Sequence, residues 1–300
     1  MCHCGKEGIV FLHYAEKHLC AEHFIRMFDR RFRKTVRMNK MLSKGDRVAV
    51  GLSGGKDSTV LLHSLAELRK DLPFELIAIT IDEGIAGYRA RTMVPAKNEC
   101  ERLGIEQKVF SFKELCGKSL DDLVKKESET GEGTLPCSQC GVLRRYALNK
   151  AARELKADKL AIGHNLDDMA QTLLMNIMRA EPSRIARMNE PMVKDSRFVP
   201  RIRPLMMTPE KEVAIYAMLK GISLAHVECP YAKFAFRGHV RKMLNETEER
   251  YPGTKFKVMN SFLDIEAALR EKHGKGSLSI CSSCGEPSSK GICRFCAIIK

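Results

Sequence analysis

No stretch of the 300-residue chain holds 18 consecutive apolar residues, which excludes a membrane-spanning helix. The N-terminus, Met1-Cys2-His3-Cys4-Gly5, has neither a secretory nor a transit pattern, so the protein is read as cytoplasmic. No internal repeat is present, which excludes a solenoid or an array. Acidic residues are in deficit, with 37 against 51 lysines and arginines, and the net charge of +14 calls for a polyanionic partner. An anionic membrane surface is the competing reading of that charge. Hydrophobic residues make up 44% and charged residues 29%, enough apolar surface for a sizeable core and too much for wholesale disorder.

Cysteine is plentiful, with twelve residues. In a reducing compartment a disulfide framework is disfavoured, and clustering in close pairs points to metal or sulfur chemistry. Ten fall in three places: Cys2, Cys4 and Cys20; Cys137, Cys140 and Cys229; and Cys281, Cys284, Cys293 and Cys296. Cys100 and Cys116 stand alone and read as small buried hydrophobes.

The middle of the chain alternates strands and helices. Strands are expected at 46–51, 74–82, 107–112 and 159–163, and helices at 58–69, 91–103, 138–155 and 167–178. That order predicts a parallel, doubly wound sheet with its ligand crevice at the C-terminal ends of the strands. Residues 127–133, before Pro136, read as a flexible loop, and the chain after Pro209 as mostly helical.

Ser53-Gly54-Gly55-Lys56-Asp57-Ser58 directly follows the first of these strands. It is neither a Walker A motif, which needs Gly where Val50 stands and Ser or Thr at Asp57, nor a dinucleotide fingerprint. It has the parts of an anion cradle nonetheless: glycines that let backbone N–H groups converge, two hydroxyls, a lysine and a helix N-terminus beneath. An ordinary Gly-rich turn is the bland alternative, disfavoured because strand, turn and helix all coincide.

Cys281-x2-Cys284 and Cys293-x2-Cys296 are two chelating pairs eight residues apart, a zinc-knuckle spacing. Cys20-x2-His23 is a half-site whose other half is Cys4 with Cys2 or His3, and Cys2 is preferred. Cys137-x2-Cys140 with the distant Cys229 supplies three thiolates, one short of a structural zinc site, so a [4Fe-4S] cluster with one iron free of protein is favoured over a structural zinc and over a persulfide relay through Cys137 and Cys229. Between Arg26 and Lys44 lie eight basic residues and one acid, Asp29, with Phe24, Phe28 and Phe32 at i, i+4 spacing. This is an amphipathic helix presenting Arg30, Arg33, Lys34 and Arg37 outward. With the basic stretches 179–203 and 233–242 it suggests RNA backbone contact, and Phe234 and Phe236 are candidates for base stacking.

The S-G-G-K-D-S segment resembles the PP-loop ATP pyrophosphatases, whose members adenylate a carbonyl oxygen and release pyrophosphate. Together with P-C-S-Q-C-G at 136–141, G-H-N-L-D-D at 163–168 and E-C-P at 228–230, it is similar to the branch of tRNA 2-thiouridine synthetases (tRNA 2-thiolation proteins) that carry terminal zinc fingers. The resemblance implies an α/β, parallel doubly wound PP-loop domain (adenine nucleotide alpha hydrolase-like) between N- and C-terminal zinc fingers. It implies a finger at 1–25, a basic linker helix at 26–45, the ATP-binding catalytic domain at 46–230, a helical tRNA-binding region at 231–275 and a second finger at 276–300. Ser53, Gly54, Gly55, Lys56, Asp57 and Ser58 would hold the triphosphate, the Ile81 backbone would lie against the adenine, and Gly163 would lie near the nucleotide. Asp168 would face the reacting phosphate or its Mg²⁺, and Asp57, Asp168, Cys137 and Cys229 would serve catalysis. The implied reaction is ATP-dependent replacement of a tRNA uridine 2-oxygen by sulfur, at the wobble position or in the T-loop. The cofactors would be ATP, Mg²⁺, a [4Fe-4S] cluster and two Zn²⁺, the sulfur donor a ubiquitin-like thiocarboxylate carrier or free sulfide, and the assembly a homodimer. A 2-thiocytidine synthetase and a catalytically silent zinc-ribbon RNA-binding subunit are the competing functions; the two fingers disfavour the first, and the intact S-G-G-K-D-S with three middle cysteines the second.

Overall fold

The computed structural model describes residues 1–130, 136–189, 197–224, 227–231, 236–273 and 279–300, with side chains described only to residue 125 in the first of these segments. Of the loop expected at 127–133, residues 127–130 are instead helical and the rest lies outside the described residues, as does Phe234.

The chain opens with a small hairpin, β1 (Val10–Leu12) and β2 (Lys17–Leu19), followed by α1 (Ala21–Met38). Strand β3 (Arg47–Gly51), α2 (Lys56–Leu68), β4 (Glu75–Asp82), α3 (Arg89–Leu103) and β5 (Glu106–Ser111) follow in strict alternation. Next come α4 (Phe112–Cys116), α5 (Leu120–Thr130), α6 (Pro136–Glu154), β6 (Lys159–Ala161), α7 (Leu166–Met178), α8 (Pro182–Ile185) and β7 (Arg201–Ile202). The rest is α9 (Glu210–Leu219), α10 (Phe236–Arg250), α11 (Thr254–His273), a second hairpin of β8 (Ser279–Ile280) and β9 (Pro287–Ser288), and α12 (Arg294–Ile299).

The central sheet runs β5-β4-β3-β6-β7 with every pairing parallel. Strand alternation sorts its side chains: Val48, Val50, Leu76 and Ala78 face one core, and Ala49, Ile77, Ile79 and Ile81 face the other. Both faces are covered, which is why β3 and β4 read as nearly continuous apolar runs. The first core joins the sheet to α1, α2, α7, α9 and α11. The second joins it to α4, α5, α6 and the C-terminal cysteine hairpin. Chain order reverses between β3 and β6, so the loops leaving these two strands flank the switch point where a doubly wound sheet binds its ligand. Those loops carry S-G-G-K-D-S and G-H-N-L-D-D.

In α1, Phe24, Phe28 and Phe32 are fully buried and Arg30, Arg33, Lys34 and Arg37 exposed, as the spacing requires. Phe28 stacks on Tyr216 of α9 at 3.9 Å between ring centroids. Arg31 and Tyr14 both reach the buried Glu212 carboxylate of α9, at 2.5 and 2.6 Å. At the other end Tyr146 of α6 stacks on Phe295 of α12 at 3.6 Å, and Arg153 pairs with Glu286. Each terminal cysteine unit is thus seated on a helix of the central domain. Strand β7 went unanticipated because two residues carry no periodicity; only its pairing with β6 defines it.

Candidate active site

The cradle forms because α2 begins at Lys56 with Gly55 as its N-cap, leaving first-turn N–H groups without intrahelical acceptors. Gly54 has φ +82°, and a Cβ there would sit 1.9 Å from the Thr92 carbonyl oxygen, so no side chain fits. The Ser58 hydroxyl accepts the Ser53 N–H at 3.1 Å and lies 3.0 Å from the Ser53 hydroxyl, cross-bracing the loop. The buried Arg89 guanidinium donates to the Ser53 carbonyl at 2.9 Å and to the Ile81 carbonyl, and pairs with the buried Glu83 at 2.9 Å. The Ile81 backbone, expected against an adenine, has its carbonyl engaged by Arg89, and its side chain is buried.

The second loop packs directly on the first. At Gly163 a Cβ would come within 2.9 Å of the Asp57 carbonyl carbon and the Ser58 nitrogen, so glycine is needed for the loops to touch. Asn165 caps α7: its side chain accepts the Asp168 N–H at 3.0 Å, and the Asp168 carboxylate accepts the Asn165 N–H at 3.3 Å. The Asn165 amide also donates to Asp57 at 2.8 Å, tying α7 to the start of α2. Asp167 is structural: it pairs with Lys255 of α11 and accepts the Glu210 N–H at 2.8 Å. Asp168 instead faces the cleft, its pKa pushed up to about 6 by burial and by the nearby Asp57 charge. Arg237 of α10 lies 3.8 Å away.

Lys56 donates to Asp57 at 3.0 Å and to Glu210 at 2.7 Å, and Glu210 also accepts from Arg241 of α10. Burial is outweighed by these two carboxylates, and the Lys56 pKa is raised. Elements after residue 209 therefore deliver Glu210, Arg237, Arg241 and Lys255 to the cradle. Motif reading missed these residues because no local spacing marks them; basic character over 233–242 was the sole signal. Phe236 carries the Arg179 guanidinium over its ring at 4.9 Å and is 37% exposed.

Cys137 and Cys140 stand in the first turn of α6. Cys229 reaches them from a distant segment: the Tyr231 carbonyl accepts from the Cys137 thiol at 3.1 Å, and the Tyr231 hydroxyl donates to Asp121 of α5 at 2.8 Å. Burial, then the neighbouring Cys229, raises the Cys137 pKa; burial brings Cys140 up to about 11. Arg144, one turn along α6, sits where Cys140, Glu83 and Cys229 all hold its pKa up against burial.

Among the described residues two groups bring their ligand atoms within 4.8 Å of one another: Cys2, Cys4, Cys20 and His23, and Cys281, Cys284, Cys293 and Cys296. Cys4 and Cys20 sulfurs are 3.8 Å apart, Cys284 and Cys293 3.6 Å, and the His23 Nδ1 is 3.4 Å from Cys2 and 3.3 Å from Cys20. Ligands about 2.3 Å from a tetrahedral ion lie about 3.8 Å from one another, so both groups could hold one metal ion each. Backbone N–H groups of Cys4 and Cys20 hold the Cys2 pKa down to about 6, and that of Cys293, 3.3 Å from the Cys281 sulfur, brings Cys281 to about 6. The middle trio is not drawn into such a tetrahedron. Three thiols near enough to act on one another, with at least one separation beyond 4.8 Å, fit a cluster, whose irons each take one thiolate, better than a single ion.

A parallel doubly wound sheet, a phosphate cradle at its switch point and three thiols beside it define an ATP-using sulfur-handling protein. The PP-loop domain model matches residues 25–248. The chain is 36% identical to the tRNA 2-thiolation protein NcsA of Haloferax volcanii, over 99% of this chain and 97% of that one. It is 33% identical to the tRNA-5-methyluridine(54) 2-sulfurtransferase of Pyrococcus horikoshii, over 98% and 91%, and 37% identical to the cytoplasmic tRNA 2-thiolation protein 1 of Dictyostelium discoideum, over 94% and 77%. The solved U34-tRNA thiolase NcsA of Methanococcus maripaludis, described with its [4Fe-4S] cluster, superposes with a TM-score of 0.84 at 36% identity, covering 99% of this chain and 94% of that one. The chain belongs to the tRNA 2-thiolation family of PP-loop proteins.

Proposed function

We propose that the protein is an ATP-dependent tRNA 2-sulfurtransferase that converts a tRNA uridine, by preference the wobble uridine, to 2-thiouridine. The observation that carries this reading is the meeting of the cradle at Ser53–Ser58 and the Cys137, Cys140, Cys229 trio around one chain of contacts, Arg89 to Glu83 to Arg144, with Cys140 and Cys229 acting on Arg144. A carbonyl oxygen is a poor leaving group, which is why a sulfur site needs a nucleotide site beside it.

In this reading the backbone N–H groups of Gly54 and Gly55, the α2 N-terminus, Lys56 and the Ser53 and Ser58 hydroxyls hold the triphosphate. Asp57 and Asp168 would hold the Mg²⁺ that screens it. The uridine O2 attacks the α-phosphorus and pyrophosphate departs; sulfide sulfur then attacks C2, and the C2–O bond breaks to release AMP. Cys137, Cys140 and Cys229 would hold a [4Fe-4S] cluster, whose chemistry would be to carry the donor's sulfur for this transfer. Cys2, Cys4, Cys20 and His23, and Cys281, Cys284, Cys293 and Cys296, would each hold one Zn²⁺ and keep the fingers at 1–25 and 276–300 folded. The linker helix at 26–45, the catalytic domain at 46–230 and the helical region at 231–275 complete this division. The sulfur donor would be a thiocarboxylate carrier or free sulfide. A homodimer and a cytoplasmic location belong to the same reading, the latter supported by the name of the Dictyostelium relative.

No helix among the described residues is long and apolar enough to cross a membrane. Mass spectrometry of nucleosides from total tRNA of a deletion strain tests the proposal. Loss of 2-thiouridine at position 34 is expected; loss at position 54 would move the target to the T-loop, and unchanged 2-thiouridine would refute the assignment.

A further inference from the structure

One side of the molecule concentrates arginines. Arg144 and Arg145 project from α6, Arg184 lies in α8, Arg201 and Arg203 lie on the edge strand β7 and just beyond it, and Arg294 opens α12 of the C-terminal unit. Edge placement matters, because β7 pairs with a strand on one side only. Arg201 donates to the Arg145 carbonyl at 3.1 Å, and Arg203 to the Asn189 carbonyl at 3.1 Å. The Arg145 guanidinium lies back over Gly141, where a Cβ would come within 3.3 Å of it, directly above the Cys137–Cys140 turn.

Arg145, Arg201, Arg203 and Arg294 make no ion pair among the described residues; Arg145 and Arg294 are exposed, Arg201 and Arg203 half-buried, and Glu266 acts on Arg203 alone, against the burial that lowers its pKa. Like charges held together disfavour one another. Burial and then Arg144, Arg294 and Arg184 lower the Arg145 pKa, and burial, Arg145 and Arg203 bring Arg201 to about 10. The same field reaches the cleft: burial and Arg203, Arg237, Arg144 and Arg201 bring His164, in the G-H-N-L-D-D loop, down to about 3. Repulsion of this kind costs stability and is relieved by an anion with regularly spaced charges.

We propose that Arg145, Arg201, Arg203 and Arg294 form a track, from the mouth of the nucleotide cleft across the β7 edge to the C-terminal finger, that grips the phosphate backbone of the substrate tRNA. The proposal rests on the tRNA reading above and deepens it. It gives the C-terminal unit a role beyond bracing α6, because Arg294 stands beside the Phe295 that stacks on Tyr146. It also sets the direction of approach, with the RNA entering over α6 and β7 rather than over α1.

The test is tRNA binding by the full chain, measured across a salt series for the wild type, Arg145→Glu/Arg201→Glu, Arg294→Glu and a control, Arg33→Glu/Arg37→Glu. The control lies near Asp71, beyond the C-terminus of α2 and so about 20 Å from the cradle at that helix's N-terminus. The double reversal is expected to weaken tRNA binding at least tenfold and to reduce the slope of log K against log salt by about 2. Arg294→Glu should weaken it several-fold, and the control should stay within twofold. Melting temperature and binding of a non-hydrolysable ATP analogue should be unchanged throughout, which separates lost contact from lost folding. Wild-type affinity in the track variants, or loss confined to the control, would overturn the track. Absence of tRNA binding by the wild type would instead overturn the reading on which it rests.

Discussion

The terminal cysteine sets and the middle trio hold sulfur in opposite ways. At the ends, four ligand atoms come within 4.8 Å of one another, with one sulfur pair at 3.8 Å in the first set and one at 3.6 Å in the second, and backbone N–H groups hold down the pKa of one thiol in each. In the middle, two thiols come from one helical turn and the third from about ninety residues away, held by Tyr231 and Asp121 rather than by local turns. The ends are closed sites suited to bracing. The middle is an incomplete set beside a nucleotide cradle, and an incomplete set is what chemistry needs, because a saturated ion has no position to offer.

The sharpest way to break this comparison is to remove one ligand from each. Cys137→Ser, Cys140→Ser or Cys229→Ser should reduce thiolation of tRNA in vitro by at least about a thousandfold, with both terminal metals retained; elemental analysis of the purified variants checks the metals. Cys281→Ser should do the reverse in kind. It should lose one of two bound metals, the one at the C-terminus, and lower the melting temperature while the N-terminal metal stays. If either class of variant empties all the sites, the regions are not independent.

A smaller effect separates the scaffolds. Arg89→Met removes one partner of the buried Glu83 pair and frees the Ser53 and Ile81 carbonyls, and should cost about 3–5 kcal/mol by denaturant unfolding. Lys6→Met, at an exposed pair on the N-terminal unit, should leave the unfolding midpoint unchanged.

The smallest effect is pH-dependent. Asp168 titrates near 6 in the folded protein and near 3.8 unfolded, so its favourable contribution is complete below about pH 4 and lost as pH rises through 6. Asp168→Asn should therefore match the wild type near pH 4 and exceed it above pH 6 by about 1–2 kcal/mol, a value discounted for the partial exposure of the carboxylate. A melting-temperature difference that shrinks as pH rises would contradict this assignment of its environment.

Local chemistry made the cradle and the terminal sets legible. Gly54, Lys56 and Ser58 act within one turn of chain, and the C-x2-C pairs chelate within one knuckle, so spacing along the chain is nearly spacing in space. Alternation of apolar runs likewise announced β3 to β6 with their helices, because β3 and β4 bury both faces. What only the tertiary structure decided is how distant segments meet: Cys229 with Cys137, Glu210 with Lys56, Lys255 with Asp167, Arg89 with Ser53, and the β7 edge with α6. These contacts join residues tens to more than a hundred positions apart, and no periodicity encodes them, since the order of strands across the sheet and the docking of α9, α10 and α11 are set by which buried faces fit together. The neighbouring sequence therefore determined what each turn can bind, and packing decided which turns share a cavity.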